Sequence, residues 1–439
     1  ALWAHRFRTF SREFAALQPA SLSRSELVEL WDRTHEVFEE TGTLTLECSG
    51  EFLMGYLITS MALRLALGAR SGEAERELFS GLSGIRSAEP GLDLLRMARR
   101  IHQIPTLRQR VAESNVAELL SQLSRGNVEE RSLHSAFEAF LKGHGHRAAR
   151  EAEISEPRWR EDPTFPLTML QRYAESTGLP DPEEMVRRRI ANREKATTLA
   201  AASISPLLRP LFLRLLRQTQ EAARLREEMR NAVVHTLGFI RALALETGRR
   251  MVSAGLLSQA DDVFFLDRLE LLEWLKGTED AGRLPLLAVM RKLEHEALVA
   301  LPDLPQWFVM EGDHILSDEH EEVQGGRTIS GLAGSPGVAT GKVAIVLDPS
   351  QQHKVAMGDI LVAPFTDVGW TPLFLVAGAV VTELGGPLSH SCVVAREYGV
   401  PAVVNIPEVT RILRDGDIVT VDGTRGLIVL KQSAQEPSP

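Results

Sequence analysis

Cysteine is nearly absent from this sequence. Only Cys48 and Cys392 occur, which excludes a disulfide framework and a Cys-rich zinc site and suits a reducing cytoplasm. Basic excess is absent too. The formal net charge is -10, which argues against nucleic-acid and anionic-membrane partners. A long apolar run is also missing. The most apolar stretch, Phe52 to Leu67, is shorter than a typical spanning helix and carries Arg64. It is therefore expected to be a buried core helix rather than a membrane span. No signal-peptide pattern is seen. The first residues, Ala1-Leu-Trp-Ala, begin in mid-pattern without Met, so a fragment lacking an upstream domain is expected.

What remains is ordinary for a globular chain: 439 residues, 44% hydrophobic and 25% charged. That length exceeds what one core usually organises, so two or three domains are expected. Residues 1–300 read as a mostly α-helical domain, with sparse Gly and Pro, no alternating strands and no internal repeat. Ser23-Arg-Ser-Glu26 is a capping box, followed by Leu27, Leu30, Trp31, Thr34, Val37 and Phe38 on one face. Helices are expected over Gly91–Leu120, with a break at Pro105, and over Ser132–Leu141. Pro182–Ala201 reads as a basic helix. Leu207–Arg250 reads as a long one, bent near Pro210, with Arg224, Arg226, Glu227, Glu228 and Arg230 on exposed turns.

A charge-dense insertion, Gly143 to Pro163, interrupts the helices. It could face a substrate or another domain through His146, Arg147, Glu151 and Arg158, or it could be an ion-paired connection that sets helix positions. His144-Gly-His146 lacks the thiolate pattern of a metal site, so none is expected.

Residues 301–330 turn polar and acidic and read as a hinge-like linker, with His314 and His320 in solvent. After it the pattern changes. Residues 331–431 hold short β-rich runs: Thr340–Leu347, Asp359–Ala363, Gly378–Thr382, Ala402–Asn405, Asp417–Val421 and Gly426–Leu430. Helices are expected at Thr371–Ala377 and Ser389–Tyr398, turns at Gly334–Gly337 and Asp422–Gly423, and a tail over 432–439.

The most chemically pointed stretch lies inside this β/α domain. A strand ending at Thr382 meets Gly385-Gly386-Pro387, and His390 then opens a helix. A helix start offers free N–H groups and partial positive charge, which would stabilise a phosphate carried on the imidazole. Gly385 and Gly386 would let backbone N–H groups approach that phosphate. Thr382 and Ser389 could donate from hydroxyls, and Arg396 could reach round the helix. The bland alternative is a histidine that merely caps a helix.

At these residues the sequence resembles the phosphohistidine swivelling domain of the PEP-utilising enzymes. The matching segments are Gly334–Gly337, Asp359–Pro364, Thr366–Pro372, Thr382–His390 and Ala395–Val404. The resemblance implies that His390 is the phosphorylated residue and that its domain swings on the preceding linker. The helical part resembles the substrate-binding domain of rifampin-phosphotransferase-like dikinases, through Gly145–Arg147, Glu151, Pro157–Pro163 and Asp261–Leu266. That implies an acceptor near the 143–163 loop, with His146 and Glu151 as candidates to orient or deprotonate its hydroxyl. Two family parts are not found, the ATP-grasp domain and the TIM barrel. ATP and Mg2+ are thus expected to act through an ATP-grasp domain or subunit outside this chain, and a pyruvate acceptor is not expected.

The expected activity is a phosphotransferase in which phospho-His390 delivers a phosphoryl group to a hydroxyl of a small organic molecule. Two alternatives stay open: a phosphorylation-coupled dehydratase, and a non-catalytic phosphohistidine carrier.

Overall fold

A computed structural model describes residues 2–68, 71–82, 84–176, 178–278, 282–301, 309–311, 314–316 and 328–433. These are mostly helical up to Val299, and strands dominate from Thr328 onward. The expected class, a helical N-terminal part followed by a β/α domain, is what the chain adopts.

The described residues form two compact units. One comprises Ala1–Thr45, Ala152–Pro157 and Ala232–His320. Its core joins Phe10, Phe14, Trp31, Phe239, Leu243 and Trp274, with Phe14 stacked on Phe239 at 4.2 Å between ring centroids. Ser23 and Glu26 bond reciprocally, as a capping box should. Most of the expected 301–330 linker, including His320, lies outside the described residues, as do residues 434–439 of the tail. Within the linker, strands β1 (Val309–Glu311) and β2 (His314–Leu316) pair antiparallel.

The other unit comprises Leu46–Glu151, Arg158–Asn231 and Glu321–Pro439. It unites much of the helical part with the whole β/α domain, so compactness does not follow chain order. Its eight-stranded sheet contains β3 (Thr328–Ser330), β4 (Leu332–Ser335), β5 (Val338–Ile345), β6 (Ile360–Ala363), β7 (Ala379–Thr382), β8 (Ala402–Val404), β9 (Ile418–Asp422) and β10 (Leu427–Gln432). The order is β3-β10-β9-β5-β6-β7-β8-β4. Strands β5 to β8 run parallel, and every other pairing is antiparallel. Every residue of β6, β7 and β8 is buried, as expected of β-branched runs covered on both faces.

Four expectations change. The break at Pro105 is real: one helix ends at His102 and the next starts at Pro105. Pro210, however, does not bend a helix but lies in the first turn of Arg209–Ser253, where its missing N–H costs nothing. The Gly334–Gly337 turn is partly strand, because Leu332–Ser335 forms the edge strand paired with β8. Glu227 is not on an exposed turn: it is buried and accepts a hydrogen bond from Ser87 Oγ at 2.8 Å. Phe52–Leu67 is not buried all round. It continues a 44-residue helix, Arg24–Leu67, and leaves Met61 60% and Leu65 84% exposed. By length and composition alone that helix is long and apolar enough to cross a membrane.

The β/α domain shares one apolar core with the helices of its unit. Trp370, Phe374, Val394 and Tyr398 pack with Leu94, Ile101, Phe137 and Tyr173. Tyr398 donates to the Ala88 carbonyl at 2.6 Å, and Arg172 donates to the Gln352 carbonyl at 2.6 Å. Phe374 is fully buried in this core. Phe374→Ala should cost about 3–5 kcal/mol of unfolding free energy, seen as a lower denaturant midpoint. A loss below about 1 kcal/mol would mean that the shared core does not persist in solution.

Candidate functional site

Two loops leave the carboxyl ends of neighbouring parallel strands, where α/β sheets commonly bind ligands. The loop after β6 carries Asp367, which caps the short 3-10 turn Val368–Trp370 by accepting from Gly369 N–H at 2.9 Å. The loop after β7 leads to the His390–Tyr398 helix. Gly385 takes φ +145, and a Cβ there would sit 3.1 Å from Ser389 Oγ, so glycine keeps this turn tight. A Cβ on Gly386 would meet nothing, leaving that backbone open. Ser389 is the N-cap residue but caps with no side-chain bond; its hydroxyl instead meets Ser391 Oγ at 2.9 Å. The first N–H groups of the helix therefore keep their capacity for an anion.

His390 is 7% exposed, and neither ring nitrogen has a hydrogen bond of normal geometry, the Asp367 main chain making only a looser contact. Burial first, then the nearby charges of Arg230 and Arg147, hold its pKa well below the ordinary histidine value. The Asp367 main chain offsets this only in part. The ring is thus uncharged, the form in which a nitrogen lone pair can attack phosphorus.

The 143–163 insertion is ion-paired and in part buried. His146, Arg147, Glu151 and Arg158 are all at most 3% exposed, a rare state for such residues that demands partners. Arg147 supplies them: it pairs with Glu151 Oε1 at 2.7 Å and donates to the Asn231 Oδ1 at 2.9 Å and the Arg86 carbonyl at 3.0 Å. Arg158 donates to the Glu151 carbonyl at 2.9 Å. His146 Nε2 meets Asn231 Oδ1 at 3.1 Å, and His144 meets Asp93 at 2.9 Å, so the two imidazoles serve different partners. The Glu151 N–H donates to Asp367 Oδ2 at 3.3 Å. Burial first, then the Glu151 charge, push the Asp367 carboxyl up to about 7.

The structure thus groups His390 with Arg147, Glu151, Gly385, Gly386 and Ser389, and holds Arg158 and His146 in the same network. Two expected phosphate ligands are engaged elsewhere. Thr382 is fully buried and donates to the Leu384 carbonyl at 2.8 Å, bracing the turn. Arg396, six residues along the helix, points away and donates to the Gly334 carbonyl at 3.0 Å. The cations that act on His390 besides Arg147 are Arg230 and Arg226. Their four-residue spacing puts them on one helix face, a signal that could have paired them but not aimed them. Asp367 and Asn231 also belong to the site and were not expected there.

Residues 355–426 match the family described as PEP-utilising enzyme, mobile domain. The chain carries a PEP-utilising mobile domain. Both His390 and Asp367 fall within it. Residues 51–227 match the rifampicin phosphotransferase fourth domain, a span that includes His146, Arg147, Glu151, Arg158, Arg226 and the exposed apolar half of the Arg24–Leu67 helix. The prodigiosin synthesizing transferase PigC of Serratia marcescens is 26% identical over 96% of this chain and 47% of its own length. The phosphotransferase YvkC of Bacillus subtilis is 32% identical over 73% of this chain and 39% of its own. A rifampicin phosphotransferase of a Streptomyces species is 31% identical over 78% of this chain and 40% of its own. The chain thus spans less than half the length of these relatives.

A depressed histidine pKa adds stability that is complete above the unfolded value of 6.5 and is lost as pH falls below it. Imidazole NMR should therefore find PEP-utilising-domain His390 still uncharged below pH 6.5, and Arg230→Gln should move its midpoint upward. A wild-type midpoint at 6.5 would contradict the buried, cation-flanked environment.

Proposed function

We propose that His390 carries a phosphoryl group from an ATP-grasp domain or subunit, charged from ATP with Mg2+, to a hydroxyl of a small organic molecule held by the helical part. The observation that carries this reading is the unpartnered, uncharged ring of His390 at an uncapped helix start, under the charges of Arg230, Arg147 and Arg226. Arg147 is paired with Glu151 and Arg226 with Glu227, yet the charges that act most on the ring are these three cations. A phosphoryl group on the ring would supply the matching negative charge and accept hydrogen bonds from guanidinium and main-chain N–H groups. The cations would then stay with the phosphate through transfer, since phosphoryl transfer depends on positioning and charge neutralisation. Glu151 is the candidate to orient the acceptor hydroxyl and take its proton. The need for ATP and the paucity of cysteine favour a cytoplasmic setting.

One relative favours a second reading. The protein matched over 96% of this chain is named a synthesizing transferase rather than a phosphotransferase. In that reading the phosphoryl group activates an acceptor, and the final product carries no phosphate. Mass spectrometry of products separates the two outcomes.

His390→Ala, supplied with the ATP-grasp partner and ATP, should show no acid-labile protein phosphate and no product, with unchanged thermal melting. Product formation by that variant at the wild-type rate would overturn the carrier role.

A further inference from the structure

A hydroxyl that takes a phosphoryl group must give up a proton, and two acidic residues, Glu151 and Asp367, lie in loops that meet here. Glu151 belongs to the polar loop of the helical part, and Asp367 comes with the mobile domain. The loops meet backbone to backbone. The Glu151 N–H donates to Asp367 Oδ2 at 3.3 Å, and any side chain at Gly369 would run into the Ala148 carbonyl. Glu151 Oε1 is taken by Arg147, but Oε2 is buried with no partner on a residue 3% exposed. A plain capping role would account for Asp367 Oδ1 on Gly369. It would not account for the other oxygen turned to Glu151, nor for the orphaned Oε2.

A negative charge nearby makes a buried carboxyl hold its proton more tightly, and the Glu151 charge acts on Asp367 in this way. Asp367 accordingly sits at about 7, through burial and then the Glu151 charge. Main-chain bonds from Glu151 and Gly369 oppose this, as does the charge of Arg230. Arg147 faces the pair through Glu151, and His390 faces it from the adjoining helix start. Because Asp367 and His390 belong to one domain, the like charge reaches Glu151 only when the histidine does.

Resting on the transfer reading above, we infer that Asp367 is a positioning residue that converts Glu151 into half of a proton-accepting carboxyl pair only while His390 is docked. The step balances as follows. The acceptor O–H bond breaks towards Glu151 Oε2 while the new O–P bond forms. The P–N bond breaks, and its electron pair returns to the ring nitrogen of His390. The other ring nitrogen, protonated in the phospho form, leaves the imidazole neutral. Base strength and phosphoryl delivery are thereby assembled by the same docking event.

The test uses the full-length protein with His390 phosphorylated by potassium phosphoramidate and methanol as the acceptor, with methyl phosphate and inorganic phosphate read by 31P NMR. Wild-type discharge should rise with pH through about 7 and then level. Asp367→Asn should still be charged at His390, yet lose about tenfold or more of the plateau rate and lose the inflection near neutrality. Asp367→Glu should restore an inflection. The double variant with Glu151→Gln should lose no more than Glu151→Gln alone, since the two act as a unit. Wild-type rate and pH profile in Asp367→Asn would overturn the inference while leaving His390 as carrier intact. Wild-type phospho-His390 that discharges no faster than the denatured protein would overturn the transfer reading and this inference with it.

Discussion

The Arg147–Glu151 ion pair, 2.7 Å long with side chains 2% and 4% exposed, is the interaction on which the rest of the site depends. Removing one partner of such a pair leaves an uncompensated buried charge, typically a loss of about 3–5 kcal/mol. Arg147 gains further bonds to Asn231 and the Arg86 carbonyl, whereas Glu151 Oε2 is left without a partner. That network folds residues 144–148, 151 and 158–159 inward. The inward fold brings the Ala148 carbonyl and the Glu151 N–H to the Asp367–Gly369 turn. It also brings the Arg147 charge to bear on His390.

The same arrangement explains a mismatch in the site. Burial first, then the charges of Arg230, Arg147 and Arg226, keep the ring uncharged beside those cations. On the carrier reading, a phosphoryl group on the ring would bring the opposite charge. By linkage, any preference of the docked arrangement for the phosphorylated ring is equally a preference of the phosphorylated ring for docking. On the carrier reading, charge then supplies direction: the loaded domain is drawn to the arginines, and the discharged one is held chiefly by apolar contacts through Trp370, Phe374 and Tyr398.

Much of the fold was legible in the residues. The six β-branched runs after residue 331 became strands because each is short, apolar and bounded by turn residues. The Ser23–Glu26 box and the Pro105 break work through neighbours within one turn, so they read correctly. Leu332–Ser335 was missed because Gly334 and the following Pro336 look like a turn, whereas an edge position tolerates both. The apolar stretch Phe52–Leu67 was expected to be buried, since composition reports hydrophobicity and not which face finds a neighbour.

The site divides in the same way. The sequence by itself determined His390 at a helix start after a glycine turn, because every group in that statement lies within a few residues along the chain. It also determined that the 143–163 segment is unusually charged. Only the tertiary structure decided that Arg147, Glu151 and Arg158 within it are buried, that the charges of Arg226 and Arg230 act on the histidine, that Arg396 and Thr382 are engaged elsewhere, and that Asp367 meets the Glu151 main chain. Those are meetings between segments far apart in the chain. Helical periodicity sets the relative direction of side chains on one helix, but the neighbour they meet is chosen by packing, and packing sums over the whole core.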